Sequence, residues 1–230
     1  MLGWFLLTPK TTLQEFEYML ARSAGYDAGY ALFSSVENFK KNVEFDDIAL
    51  AIRTWEEARL RKIFNSEQIA KLKDVNNDFS LKKIDDNTFE LQYYKKENFE
   101  LENEIVQPGQ PNDITVEVDS DNEQNLYFVI GAVGESGSIE QITIEFNSIE
   151  TITIDRELKP NWQITYRGDN QILVYDEKGR FKKAIELDVK NLNLEKGVNT
   201  LRISAQFSDD ADVKLSGYVR VKDKVERINQ

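Results

Sequence analysis

The residues that could carry chemistry in this sequence are its carboxylates, lysines and tyrosines. The chain contains no histidine and no cysteine, which excludes a Ser-His-Asp triad, a cysteine nucleophile, a typical zinc site and a disulfide framework. Glu37 and Glu44 lie in a polar stretch, residues 34–47. A Glu side chain accepts hydrogen bonds from sugar hydroxyls and can act as a general acid. Both are candidates for hydrogen-bonding a polar ligand, and the alternative is a solvated loop.

Trp4 is a candidate of a different kind. Its flat apolar ring matches the axial C–H face of a pyranose, so it could serve as a platform for a sugar ring. It lies inside a continuous apolar run, residues 2–7. That setting favours the alternative, a side chain in the core.

A third candidate is the turn that contains Arg167, Asp169 and Asn170. These residues offer a guanidinium, a carboxylate and an amide around Gly168, a combination that can hydrogen-bond vicinal hydroxyls. In the segment before this turn Trp162, Ile164 and Tyr166 alternate with polar residues, which places the aromatic side chains on one face of a strand, expected to face the core. The alternative for the turn is an ordinary Asp-Asn hairpin.

Two acidic clusters could bind a cation. Asp119 with Asp121, and Asp209 with Asp212, supply the oxygen ligands that Ca²⁺ prefers, so a structural calcium ion is one interpretation. The first cluster lacks the glycine and glutamate that an EF-hand loop requires at its sixth and twelfth positions. Solvated acidic turns are the alternative. The sequence indicates no other cofactor.

The charge of the chain bears on its partners. It has 41 acidic and 29 basic residues and a net charge of −12, and its basic residues are scattered among acids. Such a surface repels phosphate backbones and anionic lipids, so we expect neither nucleic acid nor a membrane as a partner. No run reaches the ~18 apolar residues needed to span a bilayer, which predicts a soluble chain.

The first 73 residues show the rhythm of a parallel α/β structure. Residues 2–7 predict a strand buried on both faces, and Thr12 with Glu15 forms a capping-box signature for a helix that Gly25 can close. A second strand is predicted at residues 26–33. Asp46 or Asp47 can cap a second helix, and a third starts near Ser66 and runs to about Lys73. The second helix should bury Ile48, Ile52, Trp55 and Ala58. Two strands are too few for a parallel sheet of their own.

From residue 79 the apolar period changes from 3.6 to 2. Residues 79–84 and 88–94 predict a β-hairpin, and residues 107–112, rich in Pro, Gly and amides, predict a linker. Short strand candidates then follow one another to residue 221, which is typical of an antiparallel sandwich or jelly roll. We therefore predict an α/β segment at residues 1–106, the linker at 107–112 and a β-sandwich domain at 113–230.

The order of these elements resembles the C-terminal end of a bacterial (β/α)8-barrel glycoside hydrolase with an appended β-sandwich. Residues 2–5 (Leu-Gly-Trp-Phe) look like a seventh barrel strand, residues 25–30 (Gly-Tyr-Asp-Ala-Gly-Tyr) like the approach to an eighth, and residues 52–64 like the last helix. In the second half, residues 194–201 (Leu-Glu-Lys-Gly-Val-Asn-Thr-Leu) are similar to a loop of galactose-binding-like jelly rolls.

The resemblance implies a barrel remnant that belongs to a polysaccharide-degrading enzyme, secreted or periplasmic. Barrel active sites lie on the loops after the strands, and glycoside hydrolysis needs two carboxylates held across the bond. Residues 8–12 contain no carboxylate, although many retaining barrel enzymes have a Glu after the seventh strand. In a complete barrel, Glu37 and Glu44 of the next loop would line a sugar-binding cleft. We therefore expect no turnover by this chain alone. Its expected partners are carbohydrate, the remainder of a catalytic barrel, and other copies of itself. The alternative is a self-contained carbohydrate- or protein-binding module.

Overall fold

The computed structural model describes residues 1–9, 11–103, 112–188, 192–208 and 212–229. The chain forms two compact units, Met1–Lys95 with Lys222–Gln230, and Lys96–Val221. We call them the N-terminal unit and the sandwich unit. The predicted linker at residues 107–112 lies outside the described residues except for Asn112, so the predicted domain division stays a prediction. Across the described residues no helix is long and apolar enough to cross a membrane.

The N-terminal unit is a mixed α/β region, as predicted. Strands β1 and β2 pair in parallel and are connected by α1. Strands β3 and β4 pair as an antiparallel hairpin. Strand β4 begins in this unit and ends in the sandwich unit. The elements in chain order are β1 (Trp4–Leu6), α1 (Leu13–Tyr26), β2 (Ala31–Phe33), α2 (Val36–Lys41), α3 (Phe45–Arg61), α4 (Ser66–Lys73), β3 (Asp78–Lys83) and β4 (Thr88–Leu101).

The helix ends follow local hydrogen bonding. The capping box at α1 is confirmed, since the Thr12 hydroxyl accepts from the Glu15 N–H and the Glu15 carboxylate accepts from the Thr12 N–H. Asp27, in the left-handed region, ends this helix. The N-cap of helix α3 is Glu44, two or three residues before the predicted caps Asp46 and Asp47. The short helix α2 lies in the stretch that the sequence indicated as a loop.

The core of this unit lies between its helices and one face of its strands. Trp55 of α3 and Phe16 of α1 are fully buried, and Phe5 packs against Phe16 with ring centroids 6.4 Å apart. The prediction that β1 is buried on both faces is wrong. Trp4 is 73% exposed and Leu6 is 54% exposed, because successive side chains of a strand point to opposite faces and only one face meets the helices.

The sandwich unit is built from antiparallel strands, which confirms the predicted fold class of an α/β region followed by a sandwich. Within the described residues, the strand candidates of this half correspond to strands, and the two-residue strands β6 and β13 were not predicted. The strands are β5 (Asp113–Ser120), β6 (Gln124–Asn125), β7 (Phe128–Ser136), β8 (Ile139–Phe146), β9 (Glu150–Ile154), β10 (Gln163–Tyr166), β11 (Gln171–Tyr175), β12 (Phe181–Glu186), β13 (Asn193–Leu194), β14 (Gly197–Phe207) and β15 (Asp212–Asn229).

Two sheets supply the core of the sandwich. The larger sheet has the order β12-β11-β10-β7-β15-β4 within this unit, and the smaller has the order β5-β14-β8-β9. Buried side chains of both sheets form one cluster, for example Phe128 and Tyr166 of the larger with Val118 and Ile203 of the smaller. Strand β15 ends in the N-terminal unit.

The loop that enters β14 is organised by one buried side chain. The Asn199 amide donates to the carbonyls of Glu195 (2.8 Å) and Gly197 (3.0 Å). Its oxygen accepts from the Glu195 N–H at 2.9 Å and from the Asn147 amide at 3.1 Å. Gly197 has φ +103°, a value that side chains rarely adopt. The sequence motif at residues 194–201 is therefore a loop closed on Asn199.

We expect Asn199→Ala to lower the free energy of unfolding by about 2–4 kcal/mol, because several buried polar groups lose their partners at once. Urea unfolding of the full chain measures this change. Asn122→Ala, which truncates an exposed amide, is the control and should change stability by less than ~0.5 kcal/mol. Equal stability of the two variants would contradict the role given to Asn199.

A carboxylate ties the end of β15 to its neighbours in the N-terminal unit. Glu226 accepts from the Tyr93 hydroxyl (2.9 Å), the Gln68 amide (3.0 Å) and the Lys224 ammonium (2.6 Å). Burial by itself would raise the pKa of Glu226, but hydrogen bonds from Lys224, Gln68 and Tyr93 outweigh it and lower the pKa to about 2. The ionised form is therefore favoured in the folded state.

This shift predicts a dependence of stability on pH. A depressed folded pKa stabilises the fold fully above the ordinary value of 4.5, and the contribution is lost as the pH falls toward about 2. The stability difference between wild type and Glu226→Gln should therefore be largest above pH ~5 and shrink toward pH ~2. Urea unfolding at several pH values measures it, with the exposed Glu140→Gln as control. A difference that stays constant over this range would refute the assignment.

Candidate functional site

The loops that follow β1 and β2 lie at the same edge of the parallel pair, where a barrel would place its active site. The Ser34 hydroxyl donates to the Leu7 carbonyl at 2.6 Å. The Asn42 amide donates to the carbonyls of Thr8 and Thr11, both at 2.8 Å. These bonds tie the two loops together.

The two predicted acids of this edge have structural partners. Glu44 accepts from the Leu13 N–H at 2.8 Å, so its carboxylate lies at the positive N-terminus of α1. Glu37 is exposed on α2 and forms an ion pair with Lys41 at 2.6 Å, and the hydrogen bond from Lys41 lowers the pKa of Glu37. The contacts of both acids are those of helix-stabilising side chains.

Trp4 belongs to an exposed apolar surface. Trp4 pairs with Ala31 and Leu6 with Phe33 in the parallel register, which places all four on the face opposite Phe5. Phe33 is 62% exposed. We call Trp4, Leu6 and Phe33 the open strand face. Sugar hydroxyls need polar partners beside a stacking ring, whereas the neighbours of Trp4 on this face are aliphatic or aromatic. This setting suits packing against another protein surface.

An open groove of about 280 Å³ lies beside α3 in the N-terminal unit. Glu57 lines it together with Lys83 and Asp86. The Glu57 carboxylate accepts from the Lys83 ammonium at 2.8 Å and from the Arg61 guanidinium at 3.0 Å. These hydrogen bonds lower the pKa of Glu57. The groove is thus lined by an ion-pair network that joins the helix to the hairpin.

The larger sheet of the sandwich presents two different faces. Val219, Phe128, Tyr166 and Ile172 are direct cross-strand neighbours, and all are fully buried in the core. The adjacent residues form the next row, and alternation places them on the outer face. That row is Tyr218, Val129, Thr165 and Leu173.

Three tyrosines of the larger sheet each contact a cation: Tyr127 and Tyr218 are half-buried on its outer face, and Tyr175 is only 5% exposed. The Lys96 ammonium lies 5.2 Å from the ring centroid of Tyr218. The Arg220 guanidinium lies 5.8 Å from the ring centroid of Tyr127, and the Arg167 guanidinium donates to the Tyr175 hydroxyl at 3.3 Å. We call these six residues the tyrosine face. Cations and aromatic rings attract one another electrostatically, so the pairs hold each other in place.

The predicted turn supplies only one member of this surface. Gly168, with φ +82°, brings the backbone so near Asn125 that a Cβ atom there would clash, which fixes the turn after Arg167. The Asp169 carboxylate accepts from the Gln171 N–H at 3.2 Å and so holds its own turn. Asn170 is exposed, and its carbonyl accepts from Leu187. The structure therefore directs Arg167 toward Tyr175, while Asp169 stabilises the turn.

The outer face of the smaller sheet has a different chemistry. Arg202 is paired with Thr115 and Glu145 across the strands, and its guanidinium donates to the Asp113 carboxylate at 2.7 Å. Glu145 is paired in turn with Thr151. Short polar side chains and an ion pair cover this face. The tyrosine face is thus a specific feature of one side of the sandwich.

The predicted calcium ligands lie on separate elements. Asp119 lies in β5 and Asp212 begins β15, two strands of different sheets. Asp121 is exposed after β5, and Asp209 lies outside the described residues. In the part of the chain that the structure describes, no three Asp, Glu, His or Cys side chains are grouped so that they could hold a metal ion. Calcium binding stays a prediction.

Comparison with known proteins gives little guidance. No protein family matches the sequence, and no curated protein is significantly similar to it. One solved structure that is similar to this chain is that of TmCBM61 in complex with β-1,4-galactotriose. It is 12% identical, the match covers 67% of this chain and 70% of that one, and the TM-score is 0.19. At that score the likeness carries no argument about fold or ligand.

The open strand face generates a testable prediction. We expect the isolated chain to self-associate in a concentration-dependent manner, because exposed apolar strands with open edges attract one another. Trp4→Lys or Phe33→Lys should weaken the association without unfolding the chain, since both side chains are exposed. Sedimentation velocity over a range of concentrations measures it, with Val43→Lys in an exposed loop as control. A wild-type chain that remains monomeric at every concentration would contradict the expectation.

Proposed function

We propose that the sandwich unit binds carbohydrate through its tyrosine face. The observation that carries the proposal is the presence of two half-buried tyrosine rings, Tyr127 and Tyr218, each beside a cation on the outer face of the larger sheet. Tyrosine rings stack on the apolar C–H faces of sugars, while their hydroxyls and nearby polar groups bond to the sugar hydroxyls. A surface with both components suits a pyranose better than it suits a purely apolar ligand.

The shape of the surface favours a polymer over a small molecule. Next to the row that contains Tyr218 lies a row of Ser216, Gly131 and Gln163. Because Gly131 has no side chain, this row forms a shallow depression between the side chains of Ser216 and Gln163. An open sheet face with the Tyr218 ring on one row and polar groups on the next can follow more than one sugar unit of an extended chain.

The proposal assigns binding and no catalysis to this surface. Glycoside hydrolysis requires two carboxylates across the scissile bond, and the six residues of the tyrosine face are tyrosines and cations. The proposed function is therefore that of a carbohydrate-binding module. If the chain belongs to a larger enzyme, another domain supplies the catalytic acids.

We expect Tyr218→Ala and Tyr127→Ala each to weaken glycan binding by about 1 kcal/mol or more, about fivefold in Kd, because each removes a stacking surface. A glycan array identifies ligands, and titration calorimetry on the full chain measures the affinities. Thr153→Ala, on the smaller sheet, is the control. Trp4→Ala distinguishes the tyrosine face from the other sugar platform and should leave the affinity unchanged.

Two results would count against this proposal. Binding that is lost in Trp4→Ala and retained in both tyrosine variants would move the site to the N-terminal unit. Absence of binding to any glycan on the array would leave the sandwich as a structural domain.

A second proposal concerns the N-terminal unit, and the open strand face supports it. A two-stranded parallel pair with an apolar face turned away from its helices is typical of a larger parallel sheet. We propose that β1 and β2 join further strands of a glycoside hydrolase barrel in a parent protein. The self-association experiment tests this second proposal. If β1 and β2 lack their partner strands in the isolated chain, two copies are expected to associate through the open strand face.

A further inference from the structure

We infer that Gly131, Gln163 and Thr165 form a subsite on the outer face of the larger sheet, and that this subsite binds free hydroxyl groups on the edge of a sugar ring. The inference rests on the proposed carbohydrate binding and deepens it, because it names the groups that distinguish one sugar unit from another. Two observations carry it: a glycine that the fold does not require, and a buried hydroxyl without a partner.

The glycine is Gly131, which lies inside β7, where glycine is an unfavourable residue. Its backbone does not require glycine, because its φ angle is not positive. Packing against the described residues does not require it either. A Cβ atom on Gly131 would lie 3.5 Å from the Trp162 carbonyl oxygen and 3.8 Å from the Ser216 carbonyl oxygen, which are ordinary van der Waals distances. The fold therefore gives no reason for the missing side chain.

Two other glycines of the same sheet do have such a reason. A Cβ atom on Gly134 would clash with the Asp212 carbonyl, and a Cβ atom on Gly217 would clash with the Val129 carbonyl. Both positions need glycine for close packing of neighbouring strands. A strand glycine without this need is typical of a place where a ligand approaches the backbone closely. We interpret Gly131 in this way.

The buried hydroxyl belongs to Thr165. Ile164 and Tyr166 on either side of it are buried in the core, so alternation directs the Thr165 side chain to the outer face. Thr165 is only 4% exposed, and among the residues that the structure describes its hydroxyl has no hydrogen-bond partner. An unpaired buried hydroxyl is unfavourable. A ligand hydroxyl that bonds to it removes this cost.

The depression at Gly131 lies next to this hydroxyl. Gln163 is the direct cross-strand neighbour of Gly131, and Thr165 follows Gln163 by two residues, on the same face of the strand. Gln163 is half-buried, and in the described part of the chain its amide also lacks a hydrogen-bond partner. An amide and a hydroxyl can each donate to and accept from sugar hydroxyls. The missing side chain of Gly131 gives a sugar edge access to both.

These groups favour free hydroxyls over substituted ones. A methyl ether in place of a hydroxyl cannot donate a hydrogen bond, and it adds bulk above a depression that is only one side chain deep. A site that hydrogen-bonds a ligand hydroxyl discriminates against the analogue that lacks it, because the polar groups of the site then stay unpaired. We therefore expect the subsite to prefer sugar units that carry no ether substituents.

The first test fills the depression. Gly131→Val should leave the thermal midpoint unchanged or raise it, because valine is favourable in strands. It should weaken binding at least about tenfold, because its side chain occupies the place of the sugar edge. Gly131→Ala is the smaller variant, with an expected loss of about threefold. Gly29→Val, at an exposed glycine where a Cβ atom also meets no close neighbour, is the control and should bind as wild type does.

The probes are linear β-1,4-linked hexasaccharides of glucose, mannose, xylose and galactose, titrated into the full chain by calorimetry. The O-methylated form of the hexasaccharide that binds most tightly should bind wild type at least about fivefold more weakly than its parent.

The second test removes the hydroxyl. Thr165→Val should not lower the thermal midpoint, because the hydroxyl has no partner in the described chain to lose. It should weaken binding of the same hexasaccharide about fivefold. Thr143→Val changes a half-buried threonine of the smaller sheet and should leave the affinity unchanged. The account thus expects two variants that are as stable as wild type and bind less.

The outcomes separate this inference from the proposed function. Binding that Tyr218→Ala weakens but Gly131→Val and Thr165→Val leave unchanged would overturn the subsite and leave carbohydrate binding in place. A lowered thermal midpoint in both Gly131 variants would show that the fold requires the glycine, and would also overturn the subsite. An ether that binds as tightly as its parent would refute the preference for free hydroxyls. Absence of binding to every glycan would overturn the subsite and the proposed function together.

Discussion

The register of β7 against β10 and β15 is the constraint on which the rest of the sandwich depends. It aligns Phe128 with Tyr166 and Val219, so the buried row that fills the core is continuous across three strands. Because side chains alternate, the same register aligns Val129 with Thr165 and Tyr218 on the opposite face. A shift of one residue would bury the outer row and expose the core. Packing therefore determines which residues are available to a ligand.

Side chains alternate between two faces in the strands of the N-terminal unit as well, but there the outer face is apolar. Its parallel pair buries Phe5 against α1 and leaves Trp4 and Leu6 in solvent. The side chains on both faces of β1 and β2 are apolar, which indicates that both faces are buried, yet the helices of this unit cover only one of them. The physical cost of that exposed surface is the reason for proposing that other strands cover it, and it distinguishes this surface from the tyrosine face, where polar groups accompany every ring.

The fold could largely be predicted from the sequence because its signals are local. The capping box at Thr12, the helix at residues 66–73 and the alternating strands of the sandwich all depend on neighbouring residues, and all were predicted correctly. The exposure of Trp4 could not be predicted, because a continuous apolar run shows what a strand could bury and not what lies against it.

Most of the candidate site could not be predicted from the sequence, because its residues are brought together by strand pairing. Arg167 was singled out by its turn, but its contact with Tyr175 depends on the pairing of β10 with β11. Tyr127 and Tyr218 come together only because β7 lies beside β15, although some 90 residues separate them along the chain. The alternation around Ile164 and Tyr166 did carry one usable signal, since it predicted that Arg167 faces away from the core.

Contact between the tyrosine face and its ligand can be observed through the ring signals of labelled tyrosine and tryptophan in NMR spectra. The chain has 9 tyrosines and 3 tryptophans, few enough to assign by substitution. On titration with an oligosaccharide that the chain binds, we expect the Tyr127 and Tyr218 signals to shift and the Trp4 indole signal to stay unchanged. A shifted Trp4 signal with unperturbed Tyr127 and Tyr218 would contradict this expectation.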